Sequence, residues 1–380
     1  MTESTPSEGD PAEGPEDATT ANGPATRPSD LATPADGAST EAPSARRPAG
    51  RRGRVSSGFG RYVAKHVGGA AVSLLLVLFS SFFIFRLIAG DPIDQLTRER
   101  PVSPEERAAM RAELGLDEPM WRQFWDYITG TLTMDLGDSF QYRRPIFDLI
   151  VERLPATLLL SGTGMVLAVL LGFWIGARTG WRQGSRFDRG HVATGLVLYS
   201  APTFWLGMIV ILVFARYLGL FPVNGMRSPS TPPDFWSQAV DIGHHLVLPV
   251  LTYTAVVYAG YLMIMRSSIL DELGGDYLTT ARAKGLRDDE VRRRHAVPNA
   301  LLPTVTLVFL ALGSVVNGSI ITETVFSWPG LGRLFVQSIF YPDRPVLQAL
   351  FVLFSSSTIL AVLCAEILYW FIDPRMRRSG

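Results

Sequence analysis

Long apolar runs alternate with polar stretches along most of this chain. Six runs are long enough to cross a bilayer, because about 20 apolar residues at ~1.5 Å rise each span the ~30 Å hydrocarbon layer. They occupy residues 67–88, 155–177, 192–218, 246–265, 301–321 and 346–372. Six consecutive buried helices of this length would be far outside the usual range of a globular domain. The pattern predicts an all-α, polytopic membrane protein with six transmembrane helices.

Arginine and lysine are concentrated in alternate connections between these runs. They cluster before the first run, between the second and third, between the fourth and fifth, and after the last, whereas residues 219–245 and 322–345 carry little excess positive charge. Because cytoplasmic loops are enriched in Lys and Arg, both termini are predicted to be cytoplasmic. Ala201-Pro202 interrupts the third run and predicts a kink there.

The beginning of the chain has a different composition. Residues 1–45 hold nine acids and one basic residue, Arg27, among many Pro, Ala, Ser and Thr. Such a segment cannot bury enough apolar surface to offset its ordering entropy. Residues 1–58 are therefore predicted to be a disordered cytoplasmic tail, acidic and then basic, and residues 59–380 to be the membrane domain. The tail is either a regulatory or lipid-contacting segment or an extension with ordinary positive-inside charge.

An external subdomain is predicted at about residues 89–154, in a connection too long to be a simple loop. Ser103 and Glu106 form a capping box that opens one helix, and a second helix follows Pro119. The apolar residues at helical spacing on this second helix are Trp121, Phe124, Trp125 and Ile128. Their stripe either lies at the membrane interface or packs on the external ends of the bundle.

A dense polar segment at about residues 266–300 separates the fourth and fifth runs. Local signals describe two short helices, with Asp276 as N-cap of the first and Asp288 as N-cap of the second. Gly285 stops the first helix, because glycine adopts the left-handed conformation at little cost. Three arginines toward the end of the second helix complement its dipole; they are Arg292, Arg293 and Arg294.

Polar residues inside the spans are candidates for a translocation path, because such residues are costly in a membrane and often functional. The candidates are Ser314, Asn317 and Glu366. Ser314 and Asn317 suit either close helix packing or a water-filled path. Glu366 either lines the path or pairs with a cytoplasmic arginine.

The sequence has few of the residue patterns that indicate catalysis or metal binding. The single cysteine, Cys364, lies within a span, so no disulfide forms within the chain. His244 and His245 are adjacent and do not share a helical face. The chain has no GxxxxGK[ST] phosphate loop. We expect no catalytic residue, no metal and no cofactor, and we expect ATP to be bound by another chain if transport is active. Nothing indicates a nucleic-acid partner.

The polar segment at residues 266–300, here called the coupling segment, resembles the cytoplasmic EAA loop of ABC-transporter permeases, in the form found in dipeptide and oligopeptide importers. The matching strings are TARAKGL at residues 280–286 and RHAVPNALLP at residues 294–303. The triplet that names the loop reads Thr279, Thr280 and Ala281 here, so its glutamate is absent. The resemblance implies a coupling helix that docks in a groove of an ATPase subunit. The residues implied in coupling are Tyr277, Thr280, Ala281, Arg282, Ala283, Lys284, Gly285 and Leu286.

This resemblance also implies how the coupling residues act. Ala281 and Ala283 would keep the contact with the ATPase close, and Gly285 would let the chain turn tightly against it. Arg282, Lys284 and the run of three arginines at residues 292–294 would pair with acids on the ATPase, or form a solvated positive face.

A second string, ETVFSWPGLGRLFVQSIFYPDRPV at residues 323–346, here called the gate segment, resembles the peptide-permease signature outside the fifth span. Its Trp-Pro-Gly sequence predicts a turn at membrane-interface depth, followed by a short amphipathic helix. The resemblance implies an element near an external gate, and the alternative is a simple aromatic interface anchor. The gate candidates are Glu323, Trp328, Pro329 and Gly330.

The resemblance covers roughly residues 60–378 and implies the permease subunit of an ATP-driven importer with the type I permease fold, in a bacterial plasma (inner) membrane. It implies three kinds of protein partner besides membrane lipid: a homologous permease subunit in a heterodimer, two cytosolic ABC ATPase subunits, and an extracytoplasmic substrate-binding protein. Dipeptides or oligopeptides are the favoured substrates, and nickel chelates, glutathione and sugars are alternatives. A secondary transporter without ATPases is the rival interpretation; it predicts charged midplane sites or inverted repeats, and neither is clear in the sequence.

Overall fold

The computed structural model describes residues 54–88, 93, 97, 102–113 and 115–372, and the regular structure in these residues is helical. Two of the helices continue as π-helical turns, α6 through Ile211–Tyr217 and α9 through Arg292–Ala296. The α-helices used below, in chain order, are α1 (Arg54–Ile88), α2 (Pro104–Glu113), α3 (Met120–Leu132), α4 (Ile146–Trp181), α5 (Arg186–Ser200), α6 (Thr203–Val210), α7 (Phe235–Glu272), α8 (Asp276–Ala283), α9 (Asp288–Val291), α10 (Val297–Asn317), α11 (Ile320–Val325), α12 (Leu331–Phe340) and α13 (Arg344–Ile372).

The long helices coincide with the apolar runs. Among the described residues, α1, α4, α7 and α13 are long and apolar enough to cross a membrane, and α5 with α6 forms a fifth candidate span. Most of the remaining run lies on α10, a helix of 21 residues that ends at Asn317. The prediction of an all-α polytopic membrane protein is confirmed. Of the predicted tail, residues 1–53 lie outside the described residues, and α1 already begins at Arg54.

The kink predicted in the third run is a sharp bend. α5 ends at Ser200, α6 begins at Thr203, and the two directions differ by 104°. Ala201 is extended, with φ −71° and ψ 134°, which is the conformation that a following proline favours. Pro202 also lacks the amide donor that would continue the helix. α5 and α6 are therefore two helices with different directions and do not form one straight span.

Glycines on α4 bring its backbone against α7, in the most extensive helix–helix contact of the described chain. Gly172, Gly176 and Gly180 are spaced by four residues and lie on one face of α4. A Cβ atom at Gly176 would lie 2.6 Å from the carbonyl oxygen of Leu262 and 2.8 Å from Cβ of Met265. Small residues permit this close approach, which drives helix association in membranes through van der Waals contact.

A buried ion pair joins α5 to α7 near the coupling segment. Arg266 donates from Nε and Nη2 to the two carboxylate oxygens of Asp188, at 2.8 and 2.9 Å. The Gly184 amide donates to the same carboxylate at 2.9 Å. Asp188 is 3% exposed, so loss of Arg266 would leave a buried unpaired charge. The sequence signal was a lone acid among the arginines between the second and third runs.

The apolar stripe predicted on α3 is divided between two environments. Phe124 packs edge-on against Phe82 of α1, with ring centroids 5.3 Å apart, and Tyr127 packs on the same ring at 5.7 Å. Trp121 and Trp125 remain exposed, at 72% and 62%. The stripe thus lies on one side of α3, as the spacing predicts, but α1 covers only the edge that carries Phe124.

The α4–α7 contact yields a prediction for alanine substitution. Gly176→Ala should destabilise the folded protein by about 1–3 kcal/mol, since the methyl group would meet the backbone of α7 and overpack the contact. Gly162→Ala on the same helix is the matched control, because its Cβ would meet only Val315 Cγ1 at 3.9 Å. Thermal unfolding of the detergent-solubilised variants measures both, and equal midpoints would contradict the close α4–α7 contact.

Candidate functional site

The gate segment folds around one buried carboxylate, that of Glu323 on α11. Its Oε2 accepts the Arg333 amide N–H at 3.0 Å, and its Oε1 accepts the Thr157 hydroxyl at 2.9 Å. The Thr157 oxygen in turn accepts the Leu331 amide N–H at 2.7 Å. Amides in the first turn of a helix have no partner within that helix. Side chains from α11 and α4 therefore supply the N-terminal cap of α12.

Glycines make room for this carboxylate. A Cβ at Gly330 would lie 2.5 Å from Thr157 Oγ1, and one at Gly332 would lie 3.0 Å from Glu323 Oε2. Gly318 has a φ of +66°, and its Cβ would lie 2.7 Å from Glu323 Oε1. Larger residues at these positions would force the carboxylate away from the start of α12.

Trp328 connects the turn of the gate segment to α4. The side chain is fully buried, and its indole N–H donates to the carbonyl of Ala156 at 2.7 Å. Its amide N–H donates to the carbonyl of Glu323 at 2.8 Å. The half-buried Pro329 follows, and then Gly330 at the N-cap of α12. The structure thus brings the four gate candidates together, and Trp328 points into the protein rather than serving as an exposed interface anchor.

Burial governs the charge of Glu323, which lies in the connection beyond the fifth apolar run. Desolvation raises the pKa of this carboxyl from 4.5 to about 7, because the charged form loses its hydration there. The Arg333 amide, the Thr157 hydroxyl and the positive charge of Arg153 act in the opposite direction and favour the ionised form. The group therefore titrates near neutral pH, with hydrogen-bond donors already in place for its anion.

A second fully buried acid, Asp343, holds the far end of the gate segment. It accepts the Ser139 hydroxyl at 2.5 Å and the Gln141 amide N–H at 3.1 Å. Both donors belong to the predicted external subdomain, so this contact ties the subdomain to the junction of α12 and α13. Asp343 is not among the residues predicted from the sequence, because a lone acid in the string YPDRP does not indicate a partner 204 residues away.

The coupling segment forms two short helices joined by a tight turn, as predicted. Gly275 occupies the N-cap of α8 and Arg287 that of α9, so the caps assigned to Asp276 and Asp288 are wrong by one position. Each aspartate lies in the first helical turn instead, where its charge favours the helix dipole. Gly285 has a φ of +84°, the left-handed conformation expected of a helix-ending glycine.

One side of α8 is buried in the protein itself. Leu278 is fully buried, Ala281 is 5% exposed, and both pack in a cluster with Met265 and Ile269 of α7. The half-buried Leu286 packs against the same cluster. Leu278 and Ala281 share a face because they are three residues apart on a helix. Ala281 therefore faces its own chain and cannot make the close partner contact that the resemblance implied.

The opposite side of α8 and the turn after it are exposed. The exposed members of the coupling set are Tyr277, Thr280, Arg282, Ala283, Lys284 and Gly285. Arg282 lies 3.4 Å from a carboxylate oxygen of Asp288, whose other oxygen accepts the indole N–H of Trp181 at 2.7 Å. This bridge connects the two short helices to the end of α4.

The three arginines after α9 form ion pairs with acidic residues of α9. Arg292 and Arg293 both pair with Asp289, and the Arg293 Nε atom lies 2.9 Å from a carboxylate oxygen of Asp289. Arg294 lies 3.6 Å from Glu290. Pairs as exposed as those of Arg293 and Arg294 contribute little to stability, so a partner could displace them. Arg292 is 8% exposed and so is poorly placed to contact another subunit.

Asn317 lies at a helix–helix contact. Its amide donates to the Thr358 hydroxyl at 3.1 Å and accepts the Ser357 hydroxyl at 3.0 Å. A Cβ at Gly313, one turn earlier on α10, would lie 3.5 Å from the Cα of Thr358. These contacts favour the helix-packing interpretation of this polar face over a water-filled path. The side chain of Ser314 lies outside the described residues.

Glu366 on α13 pairs with α1. Its Oε2 lies 3.9 Å from Nε2 of His66, and its backbone carbonyl accepts the Tyr62 hydroxyl at 3.1 Å. Within the described part of the chain its ionic partner is thus a histidine, where the sequence suggested an arginine. The described residues hold no group of three or more His, Cys, Asp or Glu that could bind a metal.

Two related family models together match most of the chain. Residues 168–378 match the family described as binding-protein-dependent transport system inner membrane component, and residues 59–161 match the N-terminal part of such membrane components. The chain is 36% identical to the dipeptide transport system permease protein DppB of Escherichia coli (strain K12) over 338 residues, covering 84% of this chain and 99% of that protein.

Two further relatives have other substrates in their names. The chain is 35% identical over 304 residues to the oligopeptide transport system permease protein AppB of Bacillus subtilis (strain 168), covering 80% of this chain and 95% of that protein. It is 39% identical over 318 residues to the glutathione transport system permease protein GsiC of Salmonella typhimurium, covering 83% of this chain and 98% of that protein.

The buried carboxyl of Glu323 yields a pH prediction. Its pKa is raised from 4.5 to about 7, so its contribution to stability is full below 4.5 and is lost as the pH rises through 7. Glu323→Gln keeps the shape but cannot titrate. The wild type should therefore lose stability relative to this variant across that range, by on the order of 3 kcal/mol, in thermal unfolding measured against pH.

The control removes an exposed carboxylate, Glu105→Gln on α2, and should leave the wild-type pH curve unchanged. Parallel curves for the wild type and Glu323→Gln would contradict the prediction. That result would mean that the amides of α12 keep the carboxylate ionised throughout.

Proposed function

The chain belongs to the family of binding-protein-dependent transport system inner-membrane components, and from that premise we propose how its two functional segments work together. It is a multi-pass membrane permease subunit of an ABC importer rather than an enzyme. We propose that it forms half of a translocation path for short peptides, and that the coupling segment passes the motion of a separate ATPase to the spans.

The asymmetry of α8 carries this proposal. Its inner side is fixed by Leu278 and Ala281 to the cluster that contains Met265 and Ile269 of α7, while the side with Tyr277 is exposed. A helix held in this way transmits a displacement to the element beneath it, because packed interiors deform little. An ATPase that moves α8 would therefore move α7.

The same displacement would reach the gate segment through α4. The backbones of α7 and α4 touch at Gly176 and Gly180, so a shift in α7 is passed on directly. Thr157, near the other end of α4, holds both Glu323 and the Leu331 amide. We propose that movement of α4 loosens this contact and changes the position of α12 at the external gate.

Short peptides are the proposed substrates. Relatives at 34–36% identity are named as dipeptide, di/tripeptide and oligopeptide permeases. The relative at 39% identity that is named for glutathione supports that tripeptide as a second candidate. Nickel chelates and sugars have no comparable support among these relatives.

The proposed assembly follows from the family and from the charge pattern. A permease of this family works with a substrate-binding protein and an ATPase. We propose a heterodimer with a homologous permease subunit, two cytosolic ABC ATPase subunits, and an extracytoplasmic binding protein that docks on the gate-segment side. The concentration of arginine in alternate connections supports cytoplasmic termini, and in the proposed assembly the coupling segment lies on the same side of the membrane as the ATPases.

Affinity purification in mild detergent tests the assembly. The tagged chain should retain a second six-span permease and ATPase subunits with phosphate loops, identified by mass spectrometry. A co-purified binding protein can be stripped of ligand to identify the substrate. A single-chain species that still moved solute in liposomes would instead support the rival secondary transporter.

Substitution of Gly285 tests the coupling role. Gly285→Trp should leave membrane insertion intact but abolish substrate-stimulated ATP hydrolysis, because the indole would fill the turn that faces the ATPase. Gly184→Trp is the matched control: Gly184 also has a positive φ, +75° against +84°, and neither has a neighbour within 4 Å of its Cβ position. Both variants carry similar backbone strain, so normal coupling in Gly285→Trp would refute the assignment.

A further inference from the structure

A strongly basic cavity of about 340 Å³ lies where α4 meets the coupling segment. Its lining includes Arg178 and Arg182 from the end of α4, and Arg292 and Arg293 from the turn after α9. Asp289 is the acid among the lining residues, and both Arg292 and Arg293 already bind it. Four positive charges thus surround one negative charge, and the cavity is suited to an additional anion.

Two of these arginines form no direct ion pair with a carboxylate among the described residues. Arg182 makes no ion pair there, and Arg178 donates to the carbonyl of Trp174 at 3.2 Å. The Arg178 guanidinium also lies 3.9 Å from the centroid of the Trp174 ring. A cation–π contact fixes the plane of a guanidinium while its N–H edges stay available. Planar N–H forks of this kind bind phosphate oxygens in pairs.

An apolar stripe on α4 leads to the cavity. Val166, Leu170 and Trp174 are spaced by four residues, and Arg178 continues the series, so all four lie on one face of the helix. The first three are 56%, 60% and 54% exposed. On a membrane helix such a stripe suits an acyl chain, and tryptophan is favoured where the chain meets the headgroup. A soluble phosphate would make no use of the stripe.

We propose that this cavity binds the headgroup phosphate of an anionic phospholipid, whose acyl chain lies along the exposed face of α4. Basic pockets between helices at the membrane surface recognise such headgroups. The bound phosphate would join two arginines of a span to two of the coupling segment. Anionic lipid would then stiffen the connection through which the coupling segment moves the spans. The site is independent of the substrate proposed above.

Lipid retention by the assembled importer tests the site. The complex is delipidated, exposed to vesicles of phosphatidylcholine with phosphatidylglycerol, and analysed by native mass spectrometry. Arg178→Gln combined with Arg182→Gln should reduce the affinity for phosphatidylglycerol by about 10- to 30-fold. The control pair, Arg186→Gln with Arg189→Gln, removes equal charge from exposed positions of the next helix, outside the cavity lining, and should retain the lipid.

A second variant tests whether a loss of lipid binding comes from the cavity itself rather than from misfolding. Trp174→Leu keeps an apolar side chain at an exposed position but removes the contact that orients Arg178, so it should also weaken phosphatidylglycerol binding. Equal retention by the two double arginine variants would overturn the proposal. Inorganic phosphate that competes as well as the lipid would assign the cavity to a soluble anion. Loss of the ATPase subunit with the lipid still bound would assign the arginines to a protein interface, and both results would also overturn it.

Discussion

The contact between the α4 and α7 backbones is the constraint on which the rest of this structure depends. Glycines at every fourth position of α4 let the two helices approach until a methyl group would no longer fit between them. Lipid tails are as apolar as the helix surfaces, so the hydrophobic effect does not drive helices together within a membrane. Close packing of this kind drives their association instead. α7 leads into the coupling segment and α4 begins beside the gate segment, so this single contact determines how the two functional ends are related.

Buried acids fix the elements that surround this pair. Glu323 caps α12, Asp343 holds the external subdomain, and Asp188 receives Arg266 across two helices. Each carboxylate accepts hydrogen bonds from chain segments far from it in sequence. Inside a protein an unsatisfied polar group is costly, so satisfied networks of this kind permit one arrangement of the backbone. The polar connections of this permease are thus held by buried hydrogen bonds, whereas its spans are held by packing.

The functional segments differ in how much of them the sequence revealed. The position of Gly285 and the two short helices around it follow from local signals, because a helix-ending glycine acts on its own backbone. The burial of Ala281 does not follow, since a motif indicates which residues recur together and not which side of the helix meets the protein. The same holds for Glu323: its string singled out the residue, but only the fold brings it to the first turn of α12, beside Thr157.

The sequence by itself determined that this is an all-helical membrane protein, roughly where the spans lie, and where the chain breaks at Pro202. These features are local, because a helix satisfies its backbone polar groups within one segment of the chain in a bilayer and proline removes one donor wherever it occurs. Only the tertiary structure decided the 104° bend at that break, the pairing of Asn317 with α13 and of Glu366 with His66, and the division of the α3 stripe. Helical spacing specifies the face on which a residue lies, whereas packing of distant segments decides what that face meets.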